Sequence, residues 1–203
     1  MFHKEILSDE QTKLLPLVQK FKRKFYLVGG TSIALYIGHR RSIDFDLFTS
    51  SKIDRKTLEP KITNLRLKFK TLHQTPLEWT LFIGKVKITF YQFPHLIERK
   101  ENFENVICLP SLLDLAAMKA YALGGRGKWK DYVDLYFLFD KHFSFAEVAK
   151  RAETLFGDGF NEKLFREQLT YYDDINYSEK VEYLVSEPKE EDIKSFLTQI
   201  AIQ

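Results

Sequence analysis

Asp44 and Asp46 stand in the run Ile43-Asp44-Phe45-Asp46-Leu47-Phe48, where apolar and acidic residues alternate strictly. In an extended strand that alternation sends Ile43, Phe45 and Leu47 to one face. Both carboxylates go to the other, from Cα atoms about 6.5–7 Å apart. Like charges at that spacing raise each other's pKa unless a cation lies between them. A hard divalent cation, Mg²⁺ or Mn²⁺, meets that need, since it takes oxygen ligands and keeps positions for water and phosphate. The complement lies just upstream, in Tyr26-Leu27-Val28-Gly29-Gly30-Thr31-Ser32. Gly29 and Gly30 let the backbone approach a phosphate, and the N–H groups of a helix opening at Thr31 and Ser32 favour negative charge. Alone, a Gly-Gly step reads as a turn and Asp-x-Asp as a solvated strand edge. Joined through one short helix, with His39-Arg40-Arg41-Ser42 between, they read as a nucleotide–metal site.

Several elements must hold these residues in place. Residues 25–28 form a short apolar strand that stops at the glycines. Thr31 is expected to cap the helix that follows, whose apolar face is Ile33, Ala34, Leu35 and Ile37. A helix over 8–23 is expected to precede this unit, capped by Ser8 or Asp9 and striped by Leu14, Leu15, Val18 and Phe21. Downstream, 52–67 reads as a helix interrupted at Pro60. Residues 68–74 read as a strand, and 77–83 with 86–93 as a hairpin about Gly84-Lys85. Glu98-Arg99-Lys100-Glu101 reads as a charged surface loop, and 106–109 as one more strand. From Ser111 strand signals give way to helical periods, which places a boundary near 105–111. Helices follow at 144–155, capped by Ser144 and closed by Gly157, at 161–171 and near 189–200.

A second group of reactive types lies beyond that boundary. Residues 112–123 are apolar almost all round, so the helix they form is buried, yet Lys119 sits in its middle. Such a lysine either snorkels to the surface or meets an anion, because an isolated buried charge is costly. Gly124-Gly125-Arg126-Gly127-Lys128-Trp129-Lys130 ends the helix as a basic, glycine-rich turn. Asp131 opens the next helix and shares a face with Asp134, three residues on. Acids in a first turn also favour the helix macrodipole without any further role.

Composition sets the bounds. At 203 residues with 44% hydrophobic content and 18 Phe, the chain can bury a real core and does not read as disordered. A net charge of +3 permits an anionic partner without requiring one. The single cysteine, Cys108, excludes an internal disulfide and a multi-cysteine zinc site, and reads as a buried, inert thiol. The start Met-Phe-His-Lys-Glu begins no signal peptide and no apolar run reaches membrane-spanning length, so a cytoplasmic protein with no membrane partner is expected.

The 26–48 stretch resembles the nucleotidyltransferase superfamily, whose first motif is Gly-Gly or Gly-Ser, a helix, and Asp-x-Asp. More narrowly, Gly-Gly-Thr-Ser-x-Ala-Leu, Gly-His-Arg-x-Ser and Asp-x-Asp-Leu-Phe resemble the AbiEii/AbiGii toxin branch, found in bacterial toxin–antitoxin and phage-defence systems. The likeness returns at 111–140, in the mid-helix Lys119 and the run Arg-x-Lys-x-Lys-Asp-[aromatic]-x-Asp-Leu. It implies a nucleotidyltransferase of the EC 2.7.7 type, with Asp44 and Asp46 as metal ligands and catalytic acids. It further implies catalytic roles for Lys119 and for Asp134 or Asp131. Nucleotide contacts would come from Gly29, Gly30, Thr31, Ser32, Arg40, Ser42, Arg126, Lys128 and Lys130. One departure stands out: the superfamily often adds a third carboxylate from a later strand, and here Thr89 occupies that place, with Glu78 the candidate substitute.

The expected fold is α/β (α+β). A nucleotidyltransferase-like domain over 1–108, a small mixed sheet with flanking helices, is followed by a helical domain over 109–203 that completes a cleft. The expected reaction is Mg²⁺-dependent transfer of NMP from an NTP to a hydroxyl acceptor, tRNA or a protein, by a toxin restrained by a cognate antitoxin. Two alternatives stay open: a small-molecule, antibiotic-modifying nucleotidyltransferase, and a non-catalytic nucleotide- or RNA-binding module.

Overall fold

The structure, a computed structural model, describes residues 2–123, 125 and 127–203. The chain divides into two compact units, Met1–Ser111 and Leu112–Gln203.

Unit 1 is built on a seven-stranded mixed sheet. Its strands are β1 (Tyr26–Val28), β2 (Phe45–Thr49), β3 (Lys70–Gln74), β4 (Glu78–Ile83), β5 (Val86–Gln92), β6 (Glu101–Phe103) and β7 (Ile107–Leu109). They lie in the order β3-β4-β5-β2-β1-β7-β6. β1 runs antiparallel to β2 with Val28 opposite Asp46, while β2 runs parallel to β5 with Asp46 opposite Thr89. Because opposed residues share a face, this register fixes what surrounds the acids. One face of the central strands carries Phe45, Leu47, Leu81, Ile88 and Phe90, all at most 1% exposed. Phe21, Phe25 and Trp79 close on Phe90 with ring centroids 4.8, 5.2 and 5.6 Å away. Each such side chain contributes roughly 1.5–3 kcal/mol by leaving water, so this face anchors the strands. The other face carries Asp46, Phe48, Lys87, Thr89 and Tyr91, all half-buried.

The α-helices of this unit, among the described residues, are α1 (Asp9–Gln19), α2 (Gly29–Ile37) and α3 (Arg55–Thr63). Ser8 and Gln11 form a reciprocal capping box on α1, and Asp54 caps α3. Several expectations need correction. Thr31 does not cap α2: the helix begins at Gly29 with Val28 in the cap position and no side-chain cap. Ile43 lies outside β2 and is 56% exposed, because the chain reaches the sheet only at Phe45. Cys108 is only half-buried. Part of the charged loop after Arg99 is drawn into the sheet as β6, paired to β7 with Glu101 opposite Leu109.

Unit 2 is helical. It contains α4 (Leu112–Leu123), α5 (Trp129–Lys141), α6 (Phe145–Phe156), α7 (Glu162–Thr170) and α8 (Glu190–Ile202). α4 packs on α6, α7 on α8, and α5 touches both α4 and α8. The long apolar stretch of α5 is pinned at Tyr132, whose buried hydroxyl donates to the carbonyls of Gln168 and Tyr171 at 3.1 and 3.0 Å. Ser144 and Glu147 form the capping box of α6. Among the described residues no helix is long and apolar enough to cross a membrane.

Candidate nucleotide and metal site

The geometry around Gly29 and Gly30 explains why both must lack a side chain. Gly29 has φ +73°, and a Cβ there would stand 2.3 Å from Asp46 Oδ2. A Cβ on Gly30 would stand 2.4 Å from a terminal guanidinium nitrogen of Arg40. The double glycine therefore brings the start of α2 against a carboxylate and a guanidinium at once. Arg40 is 3% exposed and also donates to the carbonyl of Arg41 at 2.9 Å.

Thr31 and Ser42 have a structural task that the sequence did not reveal. The Thr31 hydroxyl lies 2.9 Å from Ser42 Oγ and bonds the main-chain carbonyl of Asp44. It clasps the first turn of α2 to the segment that delivers Asp44 and Asp46. The neighbouring Ser32 Oγ is fully buried and has no hydrogen-bond partner among the described residues. An orphaned hydroxyl beside a helix start without a side-chain cap fits a ligand that supplies acceptor oxygens, as a phosphate does.

The two acids are partly buried, Asp46 on β2 and Asp44 just before the strand begins. Lys87 Nζ sits 2.7 Å from Asp44 Oδ2, with 26% and 16% of the two side chains exposed. Sequence reading missed Lys87. Its alternation on β5 placed it on the polar face, but only the parallel β2–β5 register puts it beside Asp44. Opposite Asp46 stands Thr89, whose hydroxyl lies 3.3 Å from that of Thr80, which in turn donates to Glu78 at 2.6 Å. Among the described residues no group of three or more Asp, Glu, His or Cys is gathered to hold a metal, so Glu78 does not complete a triad. Two carboxylates still suit Mg²⁺, which commonly binds through one or two carboxylates plus substrate phosphates and water.

The residues predicted beyond the boundary form two groups. Lys119, Asp131 and Asp134 do meet: Lys119 Nζ lies 2.7 Å from Asp131 Oδ1 and 2.9 Å from Asp134 Oδ2. Both acids are fully buried and the lysine is 6% exposed. The i, i+3 spacing on α5 turns both carboxylates to one side, and the middle of α4 supplies the cation between them. Lys119 meets anions rather than snorkelling. Lys128 and Lys130 instead converge on Glu179, Lys128 at 2.5 Å. Partial burial works to raise the Glu179 pKa, but hydrogen bonds from Lys128 and Lys130 and their charges bring it down to about 2. Main-chain bonds hold this strand-like crossing, from Trp129 N–H to the Asn176 carbonyl at 3.2 Å and from Asn176 N–H to the Gly127 carbonyl at 2.7 Å. Glu179 lies 49 residues from Lys130 in the chain, and no local pattern marks it. Arg126, predicted with these lysines, lies outside the described residues.

A family model described as "Nucleotidyl transferase AbiEii toxin, Type IV TA system" matches residues 17–75 and 81–201. An uncharacterized protein of Aquifex aeolicus is 31% identical over 197 residues, covering 94% of this chain and 93% of its own length. Among solved structures, MenT4, a nucleotidyltransferase toxin of Mycobacterium tuberculosis, is similar with a TM-score of 0.65 at 13% identity, over 95% of this chain and 80% of that one. JHP933 of Helicobacter pylori is similar with a TM-score of 0.60 at 17% identity, over 97% and 92%. The mixed α/β architecture is the nucleotidyltransferase fold.

Proposed function

The chain belongs to the AbiEii family of nucleotidyltransferase toxins, and from that premise we propose that it transfers NMP from an NTP to a hydroxyl of a cellular acceptor, tRNA or a protein, with Mg²⁺. The observation that carries this reading is the partly buried pair Asp46 on β2 and Asp44 just before it, set against the Gly29–Gly30 opening of α2. Asp44 and Asp46 would hold the metal, which supplies charge stabilisation to the attacking and leaving oxygens when bound. The first turn of α2, with Ser32, would hold phosphate oxygens, and Arg40 adds positive charge beside Gly30. Lys119 is the proposed point charge for a phosphate oxygen, held in place between its two flanking acids. Asp134 or Asp131 is the proposed carboxylate that orients the acceptor hydroxyl and receives its proton. The acceptor oxygen bonds the α-phosphorus, the bridge to the β-phosphate breaks, and pyrophosphate leaves. In a cell such an activity would be restrained by a cognate antitoxin.

The test is incubation of the protein with Mg²⁺, each α-labelled NTP in turn, and total bacterial RNA or protein extract. Label in RNA or in a protein band establishes transfer and names nucleotide and acceptor class. Nucleotide binding with no label in either fraction would reduce the molecule to a binding module.

A further inference from the structure

At the other end of the same two strands lies a cavity that the proposed reaction does not use. Tyr26 opens β1 and Thr49 closes β2, whereas Val28 and Asp46 lie at the glycine end. Thr49 is three residues beyond Asp46, roughly 10 Å along the strand. The cavity measures about 180 Å³, and its polar lining includes Arg23, Lys24, Arg99, Tyr26, Ser50 and Ser51. Three of these side chains are cations and none is an acid. The contacts found for two of them hold the charge in place without neutralising it. Lys24 Nζ donates to the Lys52 carbonyl at 2.6 Å, and Arg99 donates to the Arg23 carbonyl at 3.5 Å. Carbonyl oxygens carry only partial charge, so the concave face keeps a net positive potential. Tyr26 adds an independent sign. It is 3% exposed, and its hydroxyl is buried with no hydrogen-bond partner among the described residues. A buried hydroxyl without a partner is rare in a settled interior and calls for an acceptor.

We propose that this cavity is a phosphate-binding site, separate from the Gly29–Asp46 site, with Arg99 and Lys24 as its cations and the Tyr26 hydroxyl as a donor at its base. A phosphate has the negative charge that these cations attract and the oxygens for the tyrosine and serine hydroxyls. The phosphate can belong to a polynucleotide backbone or to a free nucleotide. Its use in transfer, as a hold on a phosphate remote from the reacting hydroxyl, rests on the function proposed above. The binding itself does not.

The experiment titrates the full chain with pyrophosphate, with a free nucleotide, and with a fluorescein-labelled single-stranded oligoribonucleotide. It is repeated for Arg99→Ala, Lys24→Ala and Tyr26→Phe. A fluorescent NTP analogue with Mg²⁺, whose signal is the part lost in Asp46→Ala, reports the Gly29–Asp46 end separately. Arg99→Ala and Lys24→Ala are expected to weaken the anion probe about tenfold, with NTP-analogue binding unchanged. For RNA, each variant should also lower the salt dependence by about 0.7 per lost phosphate contact. Tyr26→Phe keeps the packed ring, so a several-fold loss with an unchanged melting temperature assigns the effect to the hydroxyl. Weakening confined to RNA identifies a backbone phosphate, and weakening confined to the small probes identifies a nucleotide. Probe affinities equal in all variants, or no anion binding by the wild type outside the Asp46-dependent signal, overturn the proposal. Loss of the NTP-analogue signal alone would sink the transfer reading and leave this site standing.

Discussion

Two pairs of aspartates, closely spaced in sequence, live in opposite surroundings. Asp46 lies on β2 and Asp44 just before it, both only partly buried, with one lysine at 2.7 Å from Asp44. Asp131 and Asp134 lie fully buried on the first turns of α5, clamped on Lys119 at 2.7 and 2.9 Å. Burial separates their capacities. A partly open carboxylate exchanges a lysine for a metal ion at lower cost than a fully buried one, because water still reaches the charges that are parted. A buried pair cannot give up its cation so cheaply, because a charge left behind in the interior costs about 3–5 kcal/mol. The first pair is therefore suited to exchange ligands during a reaction. The second is suited to hold one lysine in one place.

Asp46→Asn should produce the largest effect. It keeps shape and removes charge, so transfer should fall a thousandfold or more, the several kcal/mol of metal-derived stabilisation, while the urea midpoint stays near wild type. Lys119→Met should do the reverse to stability, costing about 3–5 kcal/mol in urea unfolding by leaving two acids around an apolar side chain. Replacing the whole triad (Lys119→Met, Asp131→Leu, Asp134→Leu) should restore most of that loss without restoring transfer. If Lys119→Met were as stable as wild type, the contrast between the two pairs would fail.

Smaller effects sharpen the picture. The Glu179 carboxyl titrates near 2 in the folded chain against an ordinary value of 4.5. Its folded pKa is lowered, so its contribution is present above about pH 4.5 and fades as pH falls toward 2. With 38% of the side chain exposed, solvent screening limits that contribution to about 1 kcal/mol. The Glu179→Gln variant should be less stable than wild type at neutral pH, with the gap closing in acid. Lys87→Met should tighten Mg²⁺ binding up to about fivefold by removing the competitor of Asp44, the reach of a pair worth at most about 1 kcal/mol. Unchanged or weaker Mg²⁺ binding would mean that Lys87 assists the site instead.

Local pattern made much of this legible. Alternation in 43–48 marked the strand that carries Asp46, though Ile43 and Asp44 fall just before it, and the glycine step before a helix marked its companion. The mid-helix lysine in an apolar run left two readings open, snorkelling or an anion, and the two acids on α5 decide for the anion. What stayed hidden depends on pairing across the chain. Lys87 reaches Asp44 only because β5 runs parallel to β2 in one register. Glu179 reaches Lys128 and Lys130 only through the crossing at Asn176. Thr31 carries the residue type of a cap, yet it clasps Asp44 because the helix starts two residues earlier, at a glycine free to adopt positive φ.

The most direct measurement is Mg²⁺-dependent label transfer by wild type and Asp46→Asn, run side by side at a temperature where unfolding assays show both folded. Transfer by the wild type and none by Asp46→Asn is the result expected if the partly buried pair is the reacting centre. Transfer by Asp46→Asn at the wild-type rate would contradict it.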